Sequence, residues 1–163
     1  TDRIAEVAKK IKKDFYINVQ GDEPICNPAD IKKMISLAKK YPTKVISGFT
    51  EIKEKKIFYS PHVPKVVFRK DRNLIYMSRA PIPSNKNQRF IKAWRQVCIY
   101  SFPHKSLKVF SNLKRKTPLE EIEDLELNRF VEIGYQVKMI KMSNKSVAVD
   151  TKNDLIKIIK LIK

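Results

Sequence analysis

Apolar positions recur along the chain in two rhythms, one helical and one a short continuous run, and the two alternate. Ile4, Val7, Ala8 and Ile11 fall on one face of a helix that Thr1-Asp2-Arg3 caps and that runs to about residue 13. Phe15–Val19, a run of β-branched and aromatic residues stopped by Gly21, predicts a buried strand. Asn27-Pro28 opens a second helix, Pro28–Lys40, with Ile31, Met34, Ile35 and Ala38 as its stripe and Tyr41-Pro42 as its end. Residues 45–49 read as a strand, 51–61 as a polar loop with at most a short helical turn, and 64–68 and 74–77 as two strands joined across Lys70-Asp71-Arg72-Asn73 in a hairpin.

Ser78-Arg79-Ala80-Pro81-Ile82-Pro83 is too proline-rich for a central strand, and the polar stretch 85–93 predicts a mobile loop. A strand over 96–102 and a short helix over 104–110 follow. Thr117-Pro118-Leu119-Glu120 then opens a long helix with the pattern of a capping box. Its stripe takes in Leu119, Ile122, Leu125, Leu127, Phe130 and Ile133, and Gly134 ends it. Residues 135–142 predict a strand, Val147-Ala148-Val149 leads into Asp150-Thr151, and a last helix covers 153–162. Helices alternating with strands imply a mostly parallel sheet with helices on both faces. The 163 residues form one domain, with a small hairpin and loop subregion at about 62–95.

Composition narrows the classes. A hydrophobic fraction of 42% suits a folded globule. No run is long enough to cross a bilayer, and the start of the chain lacks a signal-peptide core. Cys26 and Cys98 are too few for a disulfide framework or a metal knuckle, and read as reduced thiols of a cytoplasmic protein. The net charge of +18 is the extreme value. Lysines carry most of it and are spread through nearly every segment, without a basic block or an aromatic RNA-binding pattern. That distribution favours a lysine-rich surface over a specific nucleic-acid interface.

Chemistry enters at Gln20-Gly21-Asp22-Glu23-Pro24, directly after the strand Phe15–Val19. Ligands of open α/β sheets bind at the carboxyl ends of strands. An Asp there can hold a divalent cation over a phosphate, since Mg²⁺ takes one or two carboxylates together with water and substrate oxygens. Asp150 has the same context, after an apolar run and before a helix. If the strands are parallel neighbours, both carboxylates sit on one rim and suit metal-assisted attack on a polyphosphate. The plainer alternatives are a solvated turn at Asp22 and an ordinary helix cap at Asp150.

The segments Thr1-Asp2-Arg3-Ile4-Ala5-Glu6, Asn18-Val19-Gln20-Gly21-Asp22-Glu23-Pro24, Tyr76-Met77-Ser78-Arg79-Ala80-Pro81-Ile82-Pro83, Ile99-Tyr100, Pro118-Leu119-Glu120-Glu121-Ile122-Glu123 and Val149-Asp150-Thr151-Lys152-Asn153-Asp154-Leu155 together resemble the 3-deoxy-manno-octulosonate (Kdo) cytidylyltransferases. The resemblance implies a three-layer Rossmann-like nucleotidyltransferase fold, CTP and Kdo as substrates, CMP-Kdo and pyrophosphate as products for lipopolysaccharide or capsule synthesis, Mg²⁺ as cofactor and a homodimer. It implies that Asp22 and Asp150 are the catalytic metal-binding pair. Gln20 then resembles a sugar or nucleotide contact, Arg79 the partner of the sugar carboxylate, and Tyr100 and Glu126 contacts to sugar hydroxyls. A guanidinium fork suits a carboxylate, whereas outside the resemblance Arg79 reads as a surface ion pair, Tyr100 as a half-buried strand aromatic and Glu126 as a solvated acid.

Two departures fall toward the sugar side. Gln96 stands where the family commonly has His, so Gln96 is itself a candidate substrate contact, and Leu125-Glu126-Leu127-Asn128-Arg129 replaces Leu-Glu-Gln-Leu-Arg. They leave an amino-octulosonate or an acylneuraminate-type sugar open as acceptor. The family also begins with a strand and a basic glycine loop that holds the triphosphate, and these 163 residues, with three glycines, contain no such loop. The expectation is an N-terminally truncated domain with weak or no turnover of CTP on its own, or otherwise a noncatalytic relic. A basic nucleic-acid-binding domain is the reading from another class.

Overall fold

The computed structural model describes residues 1–144, 149 and 152–162, the last helix without the side chains at 153, 157 and 162. Its elements in chain order are α1 (Asp2–Lys10), β1 (Phe15–Val19), α2 (Pro28–Lys40), β2 (Val45–Glu51), α3 (Lys55–Tyr59), β3 (Lys65–Phe68), β4 (Leu74–Ser78), β5 (Trp94–Pro103), α4 (His104–Asn112), α5 (Pro118–Glu123), α6 (Glu126–Glu132), β6 (Val137–Lys141) and α7 (Lys152–Ile162). The described strands form one sheet in the order β4-β3-β5-β2-β6, with β1 also paired to β5.

The fold is mixed α/β, and the sheet is not mostly parallel. β5 runs antiparallel to β1, β2 and β3, β3 runs antiparallel to β4, and only β2 and β6 pair in parallel among the described strands. The reason lies in the connections. A crossover helix lets two strands point the same way, and α2 does this between β1 and β2. The hairpin between β3 and β4 reverses the chain, and β5 keeps the direction of β4 while pairing with β3, so it opposes β1, β2 and β3. Because β1 and β2 both oppose β5, and β6 follows β2, the three still share a direction and their carboxyl ends lie at one end of the sheet.

Alternation along the central strand distributes its side chains to two faces. Tyr100 and Phe102 of β5 join a core with Ala5 and Ala8 of α1, Leu107 and Phe110 of α4, and Leu127 and Phe130 of α6. Val97 and Ile99 point the other way, to Met34 of α2 and Ile46 of β2. Rings of Tyr100, Phe102, Phe130 and Phe110 follow one another at centroid distances of 5.6, 5.8 and 5.0 Å. At the bulge in β2 a Cβ on Gly48 would lie 2.9 Å from Met142 Cγ and 3.0 Å from both Cβ and the carbonyl oxygen of Val97, so only glycine lets the strands approach this closely.

The expected long helix from Thr117 is two helices. Asp124 adopts φ 52°, in the left-handed region, and separates α5 from α6. The break turns Leu125, Leu127 and Phe130 into the core and leaves Ile122 79% exposed, so Ile122 is not part of the buried stripe. Glu120, buried in α5, pairs with buried Arg129 of α6 through both guanidinium Nε and Nη2, the latter at 2.6 Å, and the guanidinium lies 3.7 Å from the centre of the Phe110 ring. The apolar face expected for the first helix also shifts: Ala5 and Ala8 are buried while Val7 and Ile11 are exposed. Among the described residues no helix is long and apolar enough to cross a membrane.

Candidate active site

β5 is ten residues long, and β1 and β3 share one of its edges with a gap between them. The chain leaving β1 fills that gap. The Gln20 N–H donates to the Cys98 carbonyl at 3.3 Å, and the Cys98 N–H donates to Glu23 Oε1 at 2.9 Å. Glu23, only 2% exposed, therefore completes the ladder with its side chain and fixes the turn. Asp22, the residue before it, stays exposed at the mouth of the cleft.

A second connection brings the end of the β6 segment to the same place. Asp30, buried in the first turn of α2, accepts the Ser143 N–H at 3.0–3.1 Å and its hydroxyl at 2.5 Å. Further on, the Val149 N–H donates to the Asp22 carbonyl at 2.8 Å. Asp150, the expected partner of Asp22, lies outside the described residues, as do Val147 and Ala148 of the expected apolar run.

The cleft at this rim has a volume of about 1060 Å³ and is lined by Gln20, Asp22, Arg79, Gln96, Tyr100 and Glu126, among others. Three of these are linked: Gln96 Nε2 donates to the Tyr100 hydroxyl at 2.9 Å, and that hydroxyl donates to Gln20 Oε1 at 3.3 Å. Burial, then the neighbouring Cys98, hold the Tyr100 hydroxyl well above the usual phenol range, so it stays a neutral donor. Burial likewise pushes the Cys98 thiol up, which keeps it protonated. Across the cleft, half-buried Glu126 accepts from the Thr1 hydroxyl.

Arg79 stands immediately after β4. Its Nε donates to the Glu123 carbonyl at 2.8 Å, Nη1 to that of Pro61 at 3.1 Å and Nη2 to that of Asp124 at 3.4 Å. The break at Asp124 is what turns the Glu123 and Asp124 carbonyls toward the guanidinium rather than into a continuing helix. The Glu123 carboxylate accepts the Tyr76 and Ser78 hydroxyls and the Arg79 N–H at 2.6–2.8 Å. Burial raises its pKa, but these donors outweigh it and the carboxyl sits below its ordinary range.

The departure at Asn128 belongs to the fold and not to the cleft. Its side-chain amide accepts the Met77 N–H at 3.2 Å and donates to the Met77 carbonyl at 3.1 Å, pairing with β4 as another strand would. The sequence reading passed over Glu23 and Lys65. A charged residue inside the apolar run Lys65-Val66-Val67-Phe68 was the available signal for the second. Among the described residues no three His, Cys, Asp or Glu side chains stand together as a metal cluster.

A family model described as Cytidylyltransferase matches residues 1–151. The 3-deoxy-manno-octulosonate cytidylyltransferase of Geobacter metallireducens is 34% identical across 98% of this chain and 67% of its own length, and that of Geotalea daltonii is 35% identical across 100% and 69%. A solved CMP:2-keto-3-deoxy-manno-octonic acid synthetase complexed with CTP superposes with a TM-score of 0.88 at 30% identity, over 99% of this chain and 66% of that one. The chain belongs to the cytidylyltransferase family. It spans about two thirds of the length of these relatives.

Proposed function

We propose that this protein transfers a cytidylyl group from CTP to the acidic sugar 3-deoxy-manno-octulosonate, giving CMP-Kdo and pyrophosphate. The observation that carries the reading is the convergence of Gln20, Asp22, Arg79, Gln96, Tyr100 and Glu126 on one cleft at the carboxyl ends of co-directional strands. In this reading Arg79 faces the sugar carboxylate, and the Gln96–Tyr100–Gln20 chain and Glu126 meet its hydroxyls. The anomeric oxygen attacks the α-phosphorus, the bond from that phosphorus to the bridging oxygen breaks, pyrophosphate leaves, and the hydroxyl proton passes to solvent. Positioning and charge neutralisation supply most of the catalysis in such transfers.

Exposed Asp22, on a turn anchored by Glu23, fits a hydrated Mg²⁺, which needs one or two carboxylates and no closed cage. Asp22 and Asp150 would hold the ion, which supplies charge neutralisation on the phosphate and lowers the pKa of a coordinated hydroxyl. The proposal includes a homodimer, as the family resemblance implies.

Gln96 favours one second reading, in which an amino-octulosonate or acylneuraminate-type sugar is the acceptor. Pyrophosphate release by the protein as its gene encodes it, measured with CTP and each acidic sugar side by side, tests both. Release that is fastest with 3-deoxy-manno-octulosonate supports the first reading, and release confined to another sugar supports the second. No release with any of them overturns the proposed activity.

A further inference from the structure

Lys65 is fully buried, with 0% of its surface exposed, at the first position of β3. Burying an ammonium is costly unless acceptors replace its water, and a methionine of similar volume would fill the same space at less cost. The acceptors here are two backbone carbonyls from different segments: Nζ donates to Ser60 at 2.8 Å and to Arg79 at 2.5 Å. The place of Arg79 explains the second. Lys65 pairs with Ser78 as the last rung between β3 and β4, so the peptide groups of Arg79 lie past the end of the ladder. Side chains take both: the Glu123 carboxylate accepts the N–H, and the Lys65 ammonium takes the carbonyl.

The same three segments meet again through the guanidinium, which reaches Pro61, Glu123 and Asp124. The loop at 60–61, the end of β4 and the α5–α6 break are thus tied at one point. Ser60, Arg79, Asp124 and Glu126 all line the cleft. A side chain merely filling the core would need no such convergence.

We propose that Lys65 is a positioning residue for the acidic-sugar subsite, acting with Glu123 to clamp the Arg79 backbone from its two sides; this rests on the assignment of Arg79 to the sugar carboxylate. Burial lowers the Lys65 pKa to about 8 against the opposing pull of Glu123, consistent with a cation retained where a neutral residue would be easier to bury. The clamp fixes where the guanidinium fork starts, and a displacement of about an ångström at a charge-pairing group is enough to lose much of its binding.

The test is steady-state kinetics of the protein as its gene encodes it, with CTP and 3-deoxy-manno-octulosonate varied separately. Lys65→Met is expected to raise the KM for the sugar about tenfold and leave the KM for CTP within about twofold, and Lys65→Arg to recover most of the loss. Glu123→Gln, at a less buried position, is expected to move the sugar KM the same way and decides the matter if Lys65→Met does not fold. A sugar KM that stays within about twofold in these variants, or that rises only together with the CTP KM, overturns the clamp. Arg79→Ala separates the two claims: if it raises the sugar KM while the clamp variants do not, the clamp alone fails, and if it leaves the sugar KM unchanged, the Arg79 assignment fails and the clamp with it.

Discussion

The Val149 N–H donates to the carbonyl oxygen of Asp22 at 2.8 Å, so the chain just before Asp150 is bonded to the backbone of the other aspartate. This contact joins residues 127 positions apart in sequence through the turn after β1, and Asp30 reinforces it by capping Ser143. It holds Val149 against the turn that carries Asp22.

If Asp22 holds the metal ion as proposed, Asp22→Asn is expected to lower pyrophosphate release at least about a hundredfold, since it removes the carboxylate that would bind the cation and leaves the turn intact. Asp22 is exposed, so the far-UV circular dichroism spectrum should not change. Chelation of divalent cations should abolish the same activity and added Mg²⁺ restore it. Undiminished release by the variant would remove Asp22 from the chemistry.

Tyr100→Phe deletes the hydroxyl that joins Gln96 to Gln20. Gln96 is buried, so its amide loses a partner it cannot replace with bulk water. The expected cost is about 1–3 kcal/mol of stability, read from the urea midpoint, together with weaker sugar binding. An unchanged midpoint would mean that water re-enters freely at this depth.

Gly48→Ala places a methyl group 2.9–3.0 Å from Met142 and Val97, and one of those atoms is a backbone carbonyl that cannot step aside. Overpacking at such a site costs about 1–3 kcal/mol. Thermal unfolding should shift down accordingly, and a neutral result would show that the bulge in β2 relaxes.

The Lys65 pKa, about 8 when folded, lies below its ordinary value of 10.5. Between these values the unfolded chain binds more protons than the folded one, so this group's contribution to stability rises with pH across that window and is lost as pH falls through about 8. Glu123 and Arg79 are the charged groups facing it. Wild type should therefore gain stability relative to Lys65→Met as the pH goes from 7.5 toward 10. The difference between their urea midpoints measures this, and a pH-independent difference would contradict it.

Local chemistry made part of this molecule legible. Phe15–Val19 and Pro28–Lys40 stand where the apolar pattern placed them, because strand propensity and an Asn27-Pro28 start agree with the tertiary setting. Asn27 does accept the Ala29 N–H at 3.0 Å. The break at Asp124 was not legible, since Glu-Asp-Leu-Glu is adequate helix sequence and the carbonyls of 123 and 124 that it frees find their partner in Arg79, far away in sequence. The direction of β5 was hidden as well, because β5 lies beside β3 and not beside β4, a placement that the segment 79–93 does not announce.

At the site, Asp22 could be named from its type and its place after a strand, and Gln20 and Arg79 from the family resemblance. Glu23, Lys65 and Asn128 could not, because each serves a backbone group far away in sequence: Cys98, Arg79 and Met77. A resemblance points to side chains that face the substrate. It does not reveal the side chains that replace missing rungs of the sheet.

The most direct measurement is ³¹P NMR of the protein as its gene encodes it, incubated with Mg²⁺, CTP and 3-deoxy-manno-octulosonate. The account predicts that the CTP resonances give way to a phosphodiester signal of CMP-Kdo and to pyrophosphate in equal amounts, and only when the sugar is present. CTP left intact, or pyrophosphate formed equally without the sugar, would contradict it.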